Sequence, residues 1–538
     1  MKLLKFLFKR IINRFTFVLA TLFLQLGILI AIIIKSNQYF TFFYGFSLMA
    51  SIIAVLLIIN NKSHPDYKVA WIIPILSFPI FGGLFYLFFG RSKLSRGLKR
   101  KMYIIEDKTR ESIKPQNETL AQIAKQNITA ANQSRYIQDY AYCPPYANSY
   151  SKYLTSGEET FEIMKEELRK AEKYIFLEFY IIEEGVMWNS ILEILAEKAA
   201  QGVDVRVIYD GIGCQLKLPF RYNKKLEKMG IKCCIFNPIS PVLTLRYNNR
   251  DHRKIVVIDG KVGFTGGVNL ADEYINLVER FGHWKDTGIM LKGEAVWSLT
   301  VIFLSMWDYL TGVEEDFSLY KAEEQSDVEF AETDNTGENT ARVGEKGDKE
   351  QPREGSLGCV QPFADSPLDD EPVGETVYLN LINKAKKYVY ITTPYLIIDN
   401  EMKLSLTAAA KSGVDVRIIT PRCGDSDLVH EVTRSYYKDL IAGGVKIYEY
   451  EPGFIHSKTY LVDDEYGVVG TINMDYRSLY LHFECAVWLY NTSSVDTMKE
   501  DFFNILKVSR QITWEDVRQI KWYRSFLHLL LRVFAPLL

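Results

Sequence analysis

Three long apolar runs open the chain. They cover residues 15–34, 40–59 and 69–89, and the first two contain no charged side chain. A helix that crosses the hydrocarbon core of a bilayer needs about twenty consecutive, mostly apolar residues. The pattern therefore predicts an N-terminal α-helical membrane region over residues 1–110, with two spanning helices and a third apolar segment.

Basic residues around these runs indicate how the region is oriented. Five of them precede the first run, and such positive flanks stay on the cytoplasmic side, so two spans return the chain to the cytoplasm. The third run contains Pro74, Pro79, Gly82 and Gly83, which permit a bend, and a basic cluster follows at residues 91–101. We favour a re-entrant hairpin, which keeps the cluster and the rest of the chain cytoplasmic; a third span is the alternative.

From about residue 160 the spacing of apolar residues becomes that of an α/β domain. Residues 161–173 carry apolar side chains at helical spacing, and residues 174–182 form a β-rich apolar run suited to a buried strand. This alternation predicts an α/β fold with a parallel sheet. The tyrosine-rich segment over residues 130–155 is expected to be an irregular loop.

The α/β pattern occurs twice. Gly202–Arg206 and Gly413–Arg417 are identical, and the strand-like runs ahead of them are similar. We therefore predict a duplicated domain, with copies at residues 150–320 and 358–510. Residues 321–357 hold one aromatic residue, Phe330, among many charged ones and are expected to form a disordered acidic linker. The amphipathic C-terminal segment, residues 511–538, either lies at a membrane interface or docks on the core.

Composition narrows the class of protein. The 538 residues are enough for two domains with appendages. A net charge of −2 gives no global attraction to nucleic acid, so no nucleic-acid partner is expected. The seven cysteines lack a zinc-like spacing, so we predict reduced thiols and no metal site.

Each copy carries the motif HxKxxxxD and an asparagine seventeen residues after the histidine. The positions are His252, Lys254, Asp259 and Asn269 in the first copy, and His456, Lys458, Asp463 and Asn473 in the second. Side chains two apart on a strand point to the same face, so each imidazole and ammonium group can share one site. Because a lysine can hold a phosphate oxygen while a histidine attacks phosphorus, the two motifs predict phosphoryl chemistry.

Paired motifs of this kind in a duplicated α/β fold resemble the phospholipase D superfamily over about residues 150–500. Within it, the phrases NRDHRK, GHWKDTGI and NMDYRSLYLHFECAV are similar to bacterial cardiolipin synthases. The resemblance implies that His252 and His456 are the catalytic pair and that the motif lysines and asparagines bind phosphate. It also implies that Glu484 orients a histidine.

The first copy departs from the family pattern. The offset that gives Glu484 in the second copy falls on Arg280 in the first, and Gly267 replaces a small hydroxyl residue. Asp286 is therefore expected to supply the first copy's carboxylate. The motif aspartates, Asp259 and Asp463, belong to the catalytic motif, whereas their place at strand ends fits a structural role equally well.

Other polar residues receive weaker expectations. Arg253 either forms a local ion pair or contacts substrate. Tyr180 either borders the site or packs in the core. His430 and His482 are expected to be structural or surface residues.

The resemblance also implies a reaction. A phosphatidyl group would pass from one phosphatidylglycerol to another through a phosphohistidine, releasing glycerol, with no cofactor. Family precedent makes His252 the nucleophile and His456 the acid and then the base. The expected partners are phosphatidylglycerol and membrane lipids, at the bacterial plasma membrane, in a multi-pass protein with cytoplasmic catalytic domains and an open oligomeric state.

Several alternatives share these residues. A phospholipase D-type hydrolase, or a phosphatidyltransferase with a different acceptor alcohol, would use every catalytic residue named above. A nuclease would need a positive groove. An inactive membrane scaffold would not require two intact motifs.

Overall fold

The computed structural model describes residues 40–61, 64–78, 96–238, 249–322, 358–369 and 371–537, with single residues at 27, 30, 31, 82, 83 and 86. Nearly all of the first predicted span, residues 15–34, lies outside these ranges. The predicted linker lies outside them from residue 323 to 357.

The second and third apolar runs are helical where they are described. Helix α1 covers Phe40–Ile59 and α2 covers Pro65–Ser77. The two helices pack together through a small apolar cluster that includes Ala54 and Trp71. Among the residues that the structure describes, no helix is both long and apolar enough to cross a membrane.

Three helices lead from this region to the first sheet: α3 (Arg96–Ser112), α4 (Asn117–Gln126) and α5 (Ile128–Tyr140). The expectation of an irregular loop over residues 130–155 is therefore corrected, because α5 and strand β1 (Ser149–Leu154) occupy most of it. The side chain of Asn127 accepts a hydrogen bond from the backbone N–H of Thr129 at 3.0 Å and so caps α5. A cap of this kind stabilises a helix by about 1 kcal/mol.

The first half of the chain forms a seven-stranded sheet in the order β1-β8-β6-β5-β2-β3-β4. Its other strands are β2 (Tyr174–Phe179), β3 (Asp204–Asp210), β4 (Lys232–Phe236), β5 (Lys254–Ile258), β6 (Val262–Gly266) and β8 (Gly288–Gly293); a short strand, β7 (His283–Lys285), lies outside this sheet. Its helices are α6 (Gly157–Arg169), α7 (Val186–Ala200), α8 (Tyr222–Lys228) and α9 (Val296–Thr311), with 3-10 turns at Asp272–Ile275 and Phe317–Tyr320.

The second half repeats this order and adds one strand: β19-β13-β12-β10-β15-β16-β18-β9. These strands are β9 (Cys359–Asp365), β10 (Tyr388–Thr392), β12 (Asp415–Pro421), β13 (Lys446–Tyr450), β15 (Thr459–Val462), β16 (Tyr466–Gly470), β18 (Glu484–Tyr490) and β19 (Ser509–Ile512). Three short strands lie outside it: β11 (Leu396–Ile397), β14 (Gly453–Ile455) and β17 (Met474–Asp475). Its helices are α10 (Val373–Lys384), α11 (Asn400–Lys411), α12 (Asp427–Ala442), α13 (Tyr476–Tyr480), α14 (Ser493–Lys507), α15 (Trp514–Arg518) and α16 (Trp522–Phe534), with a 3-10 turn at Ala535–Leu537.

The matching strand orders bear out the duplicated α/β fold. The expectation of a parallel sheet is corrected, because only three neighbouring strands of each sheet are parallel. The strand that follows each HxK pair, β5 or β15, is antiparallel to the central strand beside it. A strand-turn-strand hairpin continues from each motif, and no crossover helix separates its two strands.

The two halves form one body around a shared core. A continuous apolar cluster includes Tyr153, Phe303, Phe363 and Trp488, which come from both halves. Lys285 of the first half donates a hydrogen bond to Asp501 of the second at 2.8 Å. The two halves that carry the HxK motifs are therefore packed against each other.

Candidate active site

Backbone pairing between the halves places each motif histidine. Strand β14, which directly precedes His456, runs parallel to β7 of the first half. Asp251, which directly precedes His252, forms the equivalent backbone bridge to Phe483 of the second half. The backbone N–H of His456 donates to the carbonyl of Lys285 at 2.7 Å, and that of His252 donates to the carbonyl of Phe483 at 2.9 Å. Each histidine is therefore held by the main chain of the opposite half.

The carboxylate that orients each histidine also comes from the opposite half. His252 Nδ1 lies 3.0 Å from both Oε1 and Oε2 of Glu484. His456 Nδ1 lies 2.7 Å from Asp286 Oδ2. A carboxylate at Nδ1 leaves Nε2 free to attack or to carry a proton. The family resemblance indicated both carboxylates, but it did not indicate that each one pairs with the histidine of the opposite half.

The glycine that departs from the family pattern makes room for the shorter carboxylate. The backbone N–H of Gly267 donates to Thr287, and that of Thr471 donates to Cys485, each at 2.9 Å, so the two positions are equivalent. The hydroxyl of Thr471 donates to Glu484. A β-carbon at Gly267 would lie 2.0 Å from the nearer oxygen of Asp286, so this carboxylate occupies space that a side chain fills in the other half.

Burial keeps both histidines neutral at pH 7. Burial, helped by the motif lysines, lowers the pKa of His252 to about 3 and that of His456 to about 4, although the paired carboxylates act in the opposite direction. Burial alone would raise the pKa values of Glu484 and Asp286, but the paired histidines hold both below their usual range. The site therefore presents neutral imidazoles backed by ionised carboxylates.

The motif lysines are buried beside the histidines. Lys254 Nζ donates to the carbonyl of His252 at 2.6 Å, and Lys458 Nζ donates to the carbonyl of His456. Burial and the charge of Lys458 lower the pKa of Lys254 to about 7, and burial lowers the pKa of Lys458 to about 8. Glu484 and Asp286 oppose this lowering for both lysines. An anionic phosphate in the site would favour the charged lysines in the same way.

The two asparagines differ in their bonding. Asn269 Oδ1 accepts the backbone N–H of Ile181 at 3.1 Å, and its Nδ2 donates to the hydroxyl of Tyr274 at 2.7 Å. Asn473 is also buried, and no described residue is a hydrogen-bond partner of its Oδ1. Asn269 is therefore committed to internal contacts, whereas Asn473 retains an open acceptor.

The motif aspartates lie at the far ends of their strands from the histidines. Asp259 accepts backbone N–H groups of residues 172–174 at 2.7–2.8 Å, and Asp463 accepts those of residues 386–388 at 2.6–2.9 Å. Both have positive φ, which suits the turn that follows. The structure therefore places both in structural contacts that start the central strands, and it does not bring them to the reacting groups.

Aromatic side chains that the motifs do not include surround the histidines, among them Phe454, whose ring centroid lies 5.9 Å from that of His456. Tyr180 and His482 lie against His252 with ring centroids 5.0 and 5.5 Å away. Tyr274 and Trp284 lie against His456 at 5.5 and 5.3 Å. His482 and Trp284 each precede a catalytic carboxylate by two residues, and this shared offset was the signal that sequence reasoning missed.

The structure also places Arg253, for which two roles were predicted. Arg253 pairs with Glu178 at 2.6 Å and Asp251 at 3.0 Å, which is the local ion pairing that was one of its two alternatives. The ligand atoms of His252, His482 and Glu484 lie within 4.8 Å of one another, so these residues could hold a metal ion.

Comparisons with known proteins show the family to which this chain belongs. The family model described as "Cardiolipin synthase, PLD-like domain" matches residues 164–307 and 378–506, and the model "Phospholipase_D-nuclease N-terminal" matches residues 49–91. The chain belongs to the cardiolipin synthase family of the phospholipase D superfamily. The prediction of a phosphatidyltransferase of this superfamily is therefore confirmed.

Individual relatives cover most of the chain. A cardiolipin synthase from Halalkalibacterium halodurans is 36% identical over 90% of this chain and 92% of its own length. One from Alkalihalophilus pseudofirmus is 35% identical over 92% and 93%. An uncharacterized Streptococcus mutans protein is 43% identical over 90% and 99%. The crystal structure of the Haemophilus influenzae phosphatidylserine synthase shares the fold, with a TM-score of 0.53 and 16% identity over 76% of this chain and 98% of its own.

Proposed function

We propose that this enzyme makes cardiolipin from two molecules of phosphatidylglycerol and releases glycerol. The observation that carries the proposal is the pair of crossed histidine–carboxylate contacts, His252 with Glu484 and His456 with Asp286. Two oriented imidazoles at one site suit a double displacement at phosphorus, in which one attacks and the other moves protons. The similarity to named cardiolipin synthases supports phosphatidylglycerol as the donor and acceptor.

In the first step, Nε2 of His252 attacks the phosphorus of the first phosphatidylglycerol. The P–O bond to glycerol breaks as His456 gives its proton to the departing oxygen, leaving a phosphatidyl-histidine. The approach of the anionic phosphate to His456 raises the pKa of this residue, which allows it to carry the proton. Lys254 and Lys458 offset the charge on the phosphate oxygens.

In the second step, His456 takes the proton from a hydroxyl of the second phosphatidylglycerol. The resulting oxygen attacks phosphorus, the P–N bond to His252 breaks, and cardiolipin leaves. The assignment of His252 as the nucleophile follows the precedent of the family, and the structure gives both imidazoles the same kind of carboxylate contact. No step requires a cofactor.

We place the enzyme at the bacterial plasma membrane, with the predicted apolar runs at its N-terminus as the anchor and the catalytic halves on the cytoplasmic side. The substrates are membrane lipids, and the match of residues 49–91 to a family N-terminal model supports a shared function for this region. We propose that the chain crosses the membrane twice and that the third apolar segment forms a re-entrant hairpin.

The test supplies the full-length protein, reconstituted in vesicles, with phosphatidylglycerol labelled in its glycerol headgroup and in its acyl chains. Formation of cardiolipin with one released glycerol per product supports the proposal. Phosphatidic acid as the main product would identify a hydrolase. A different phospholipid formed only after an added alcohol would identify another acceptor.

A further inference from the structure

The C-terminal helix α16 is amphipathic, but its polar face contacts the protein and its apolar face points outward. Its polar face is turned toward α12: Arg524 and His528 both pair with Glu431 of α12, at 2.8 and 2.9 Å, and Arg532 pairs with Asp439 of α12 at 2.9 Å. The Arg524 side chain remains half-exposed at the edge of this face. His528 is only 9% exposed. The helix is therefore docked on the second half through its charged side chains.

The opposite face of α16 is apolar and turned outward. Its exposed side chains, each between 38% and 81% exposed, are Trp522, Tyr523, Phe526, Leu527, Leu529, Leu530 and Phe534. Water is a poor surrounding for so many neighbouring large apolar groups on one helix. Burial of large apolar side chains is favourable, so exposure of this face to water is costly unless something covers it.

This face continues onto the N-terminal helices. α16 and the turn Ala535–Leu537 contact α2, and α2 contacts α1. Outward-facing apolar residues continue along them, namely Val69, Ile73, Leu76 and Phe78 on or next to α2, and Phe46, Ile52, Ile53 and Leu56 on α1. Two segments from opposite ends of the chain thus present one apolar surface, which we call the apolar platform.

The apolar platform lies next to the catalytic residues in the fold. The hydroxyl of Tyr476, on α13, donates to Asp66 of α2 at 2.5 Å. His64, which caps α2, lies against Tyr480 at the other end of α13, with ring centroids 4.9 Å apart. Helix α13 ends four residues before Glu484. The platform and the His252 side of the active site are therefore linked through a single short helix.

We propose that α16 lies in the membrane interface, with its apolar face among lipid acyl chains, and so seats the second half on the lipid surface beside α2. This inference rests on the proposed function, because a lipid substrate needs an entry from the bilayer. A bilayer suits the platform better than a protein partner because the outward face is wide and uncharged. Aromatic residues also begin the helix, as at membrane interfaces.

The test attaches the fluorophore NBD to a cysteine at position 529, made as Leu529→Cys in a Cys423→Ser background because Cys423 is exposed. The matched control is Leu319→Cys, at a residue 77% exposed on the 3-10 turn Phe317–Tyr320 of the first half. The full-length chains are reconstituted in phosphatidylglycerol–phosphatidylcholine vesicles. Doxyl-labelled lipid should quench NBD strongly at position 529 and weakly at 319, and aqueous iodide should show the reverse order.

Equal quenching by iodide at the two positions would overturn the inference. So would protection of position 529 from both quenchers, because that would show a protein surface, such as a second copy of the chain, over α16. Neither result depends on catalysis, so the lipid-product assay judges the proposed function separately.

A second variant tests the functional consequence. Phe526→Glu with Leu529→Glu places two charges on exposed positions, and Leu319→Glu is the control. We expect the double variant to lose activity at least tenfold on vesicle lipid and to keep it on short-chain phosphatidylglycerol dispersed in detergent. Unchanged activity on vesicles would contradict the inference.

Discussion

The two halves of the molecule share a strand order and an HxK motif, yet their catalytic histidines have different surroundings. His252 faces a glutamate with a second imidazole, His482, beside it, whereas His456 faces an aspartate with an indole, Trp284, beside it. The two halves therefore share their fold, whereas the charged and polar groups around their histidines differ. This difference in surroundings is consistent with the unequal roles that we propose for the two histidines, one as a nucleophile and one as a proton carrier.

The largest expected effect comes from removing either imidazole. We expect His252→Ala and His456→Ala each to lower cardiolipin formation by at least about 10⁴-fold, because neither half contains both attack and proton transfer. The measurement is product formed from labelled phosphatidylglycerol in vesicles. His430→Ala, on α12 and outside the site, is the control and should remain close to wild type. Appreciable turnover by either single variant would refute the two-histidine account.

The two carboxylates should separate the roles of the histidines. Glu484→Gln and Asp286→Asn should each cost about 10²- to 10⁴-fold with phosphatidylglycerol, because each histidine loses the charge that supports its cation. With a phosphatidyl-p-nitrophenol donor, the leaving group needs no proton. The first release of p-nitrophenol should then recover in Asp286→Asn and stay slow in Glu484→Gln. Recovery in the opposite variant would exchange the roles of the two histidines.

Substitutions at Gly267 and Thr471, which lie behind the two carboxylates, should have smaller and unequal effects on turnover. Gly267→Ala places a β-carbon 2.0 Å from an oxygen of Asp286 and should displace it, at a cost of about 10²-fold in turnover. Thr471→Ala removes one hydrogen bond to Glu484 and should cost about tenfold. Thermal melting of both variants should show that they fold. Equal tolerance at the two sites would contradict the packing difference between the halves.

The smallest effects should be in pH dependence. As pH rises through about 7 and then 8, Lys254 and Lys458 lose the charges that hold phosphate, so kcat/KM should fall on the alkaline side. On the acid side it should fall as His252, the proposed nucleophile, becomes protonated near pH 3. His482→Asn should move the acid limb of the pH profile, where His252 becomes protonated, to higher pH, because His482 lowers the pKa of His252. Trp284→Phe should leave that limb in place.

Local patterns predicted the duplication and the motif residues, because their spacing repeats in the two copies, whereas Glu484 and Asp286 were predicted from the family resemblance. The crossed pairing of His252 with Glu484 was not predictable, because it depends on how two packed halves meet. His482 and Trp284 were missed for the same reason: they reach the histidines of the opposite half. The prediction of a parallel sheet was wrong because β5 and β15 run antiparallel to their central neighbours and continue into hairpins. An apolar run in the sequence does not show the direction of its strand.

The central claim is that one composite site uses His252 as the nucleophile and His456 as the proton carrier. The most direct test treats His456→Ala with phosphatidyl-p-nitrophenol, quenches under alkaline conditions and locates the adduct by mass spectrometry. Because the donor needs no acid and the variant lacks the base for the second step, a phosphatidyl group should accumulate on His252 and be absent from His252→Ala. An adduct on another residue, or none despite release of p-nitrophenol, would contradict the account.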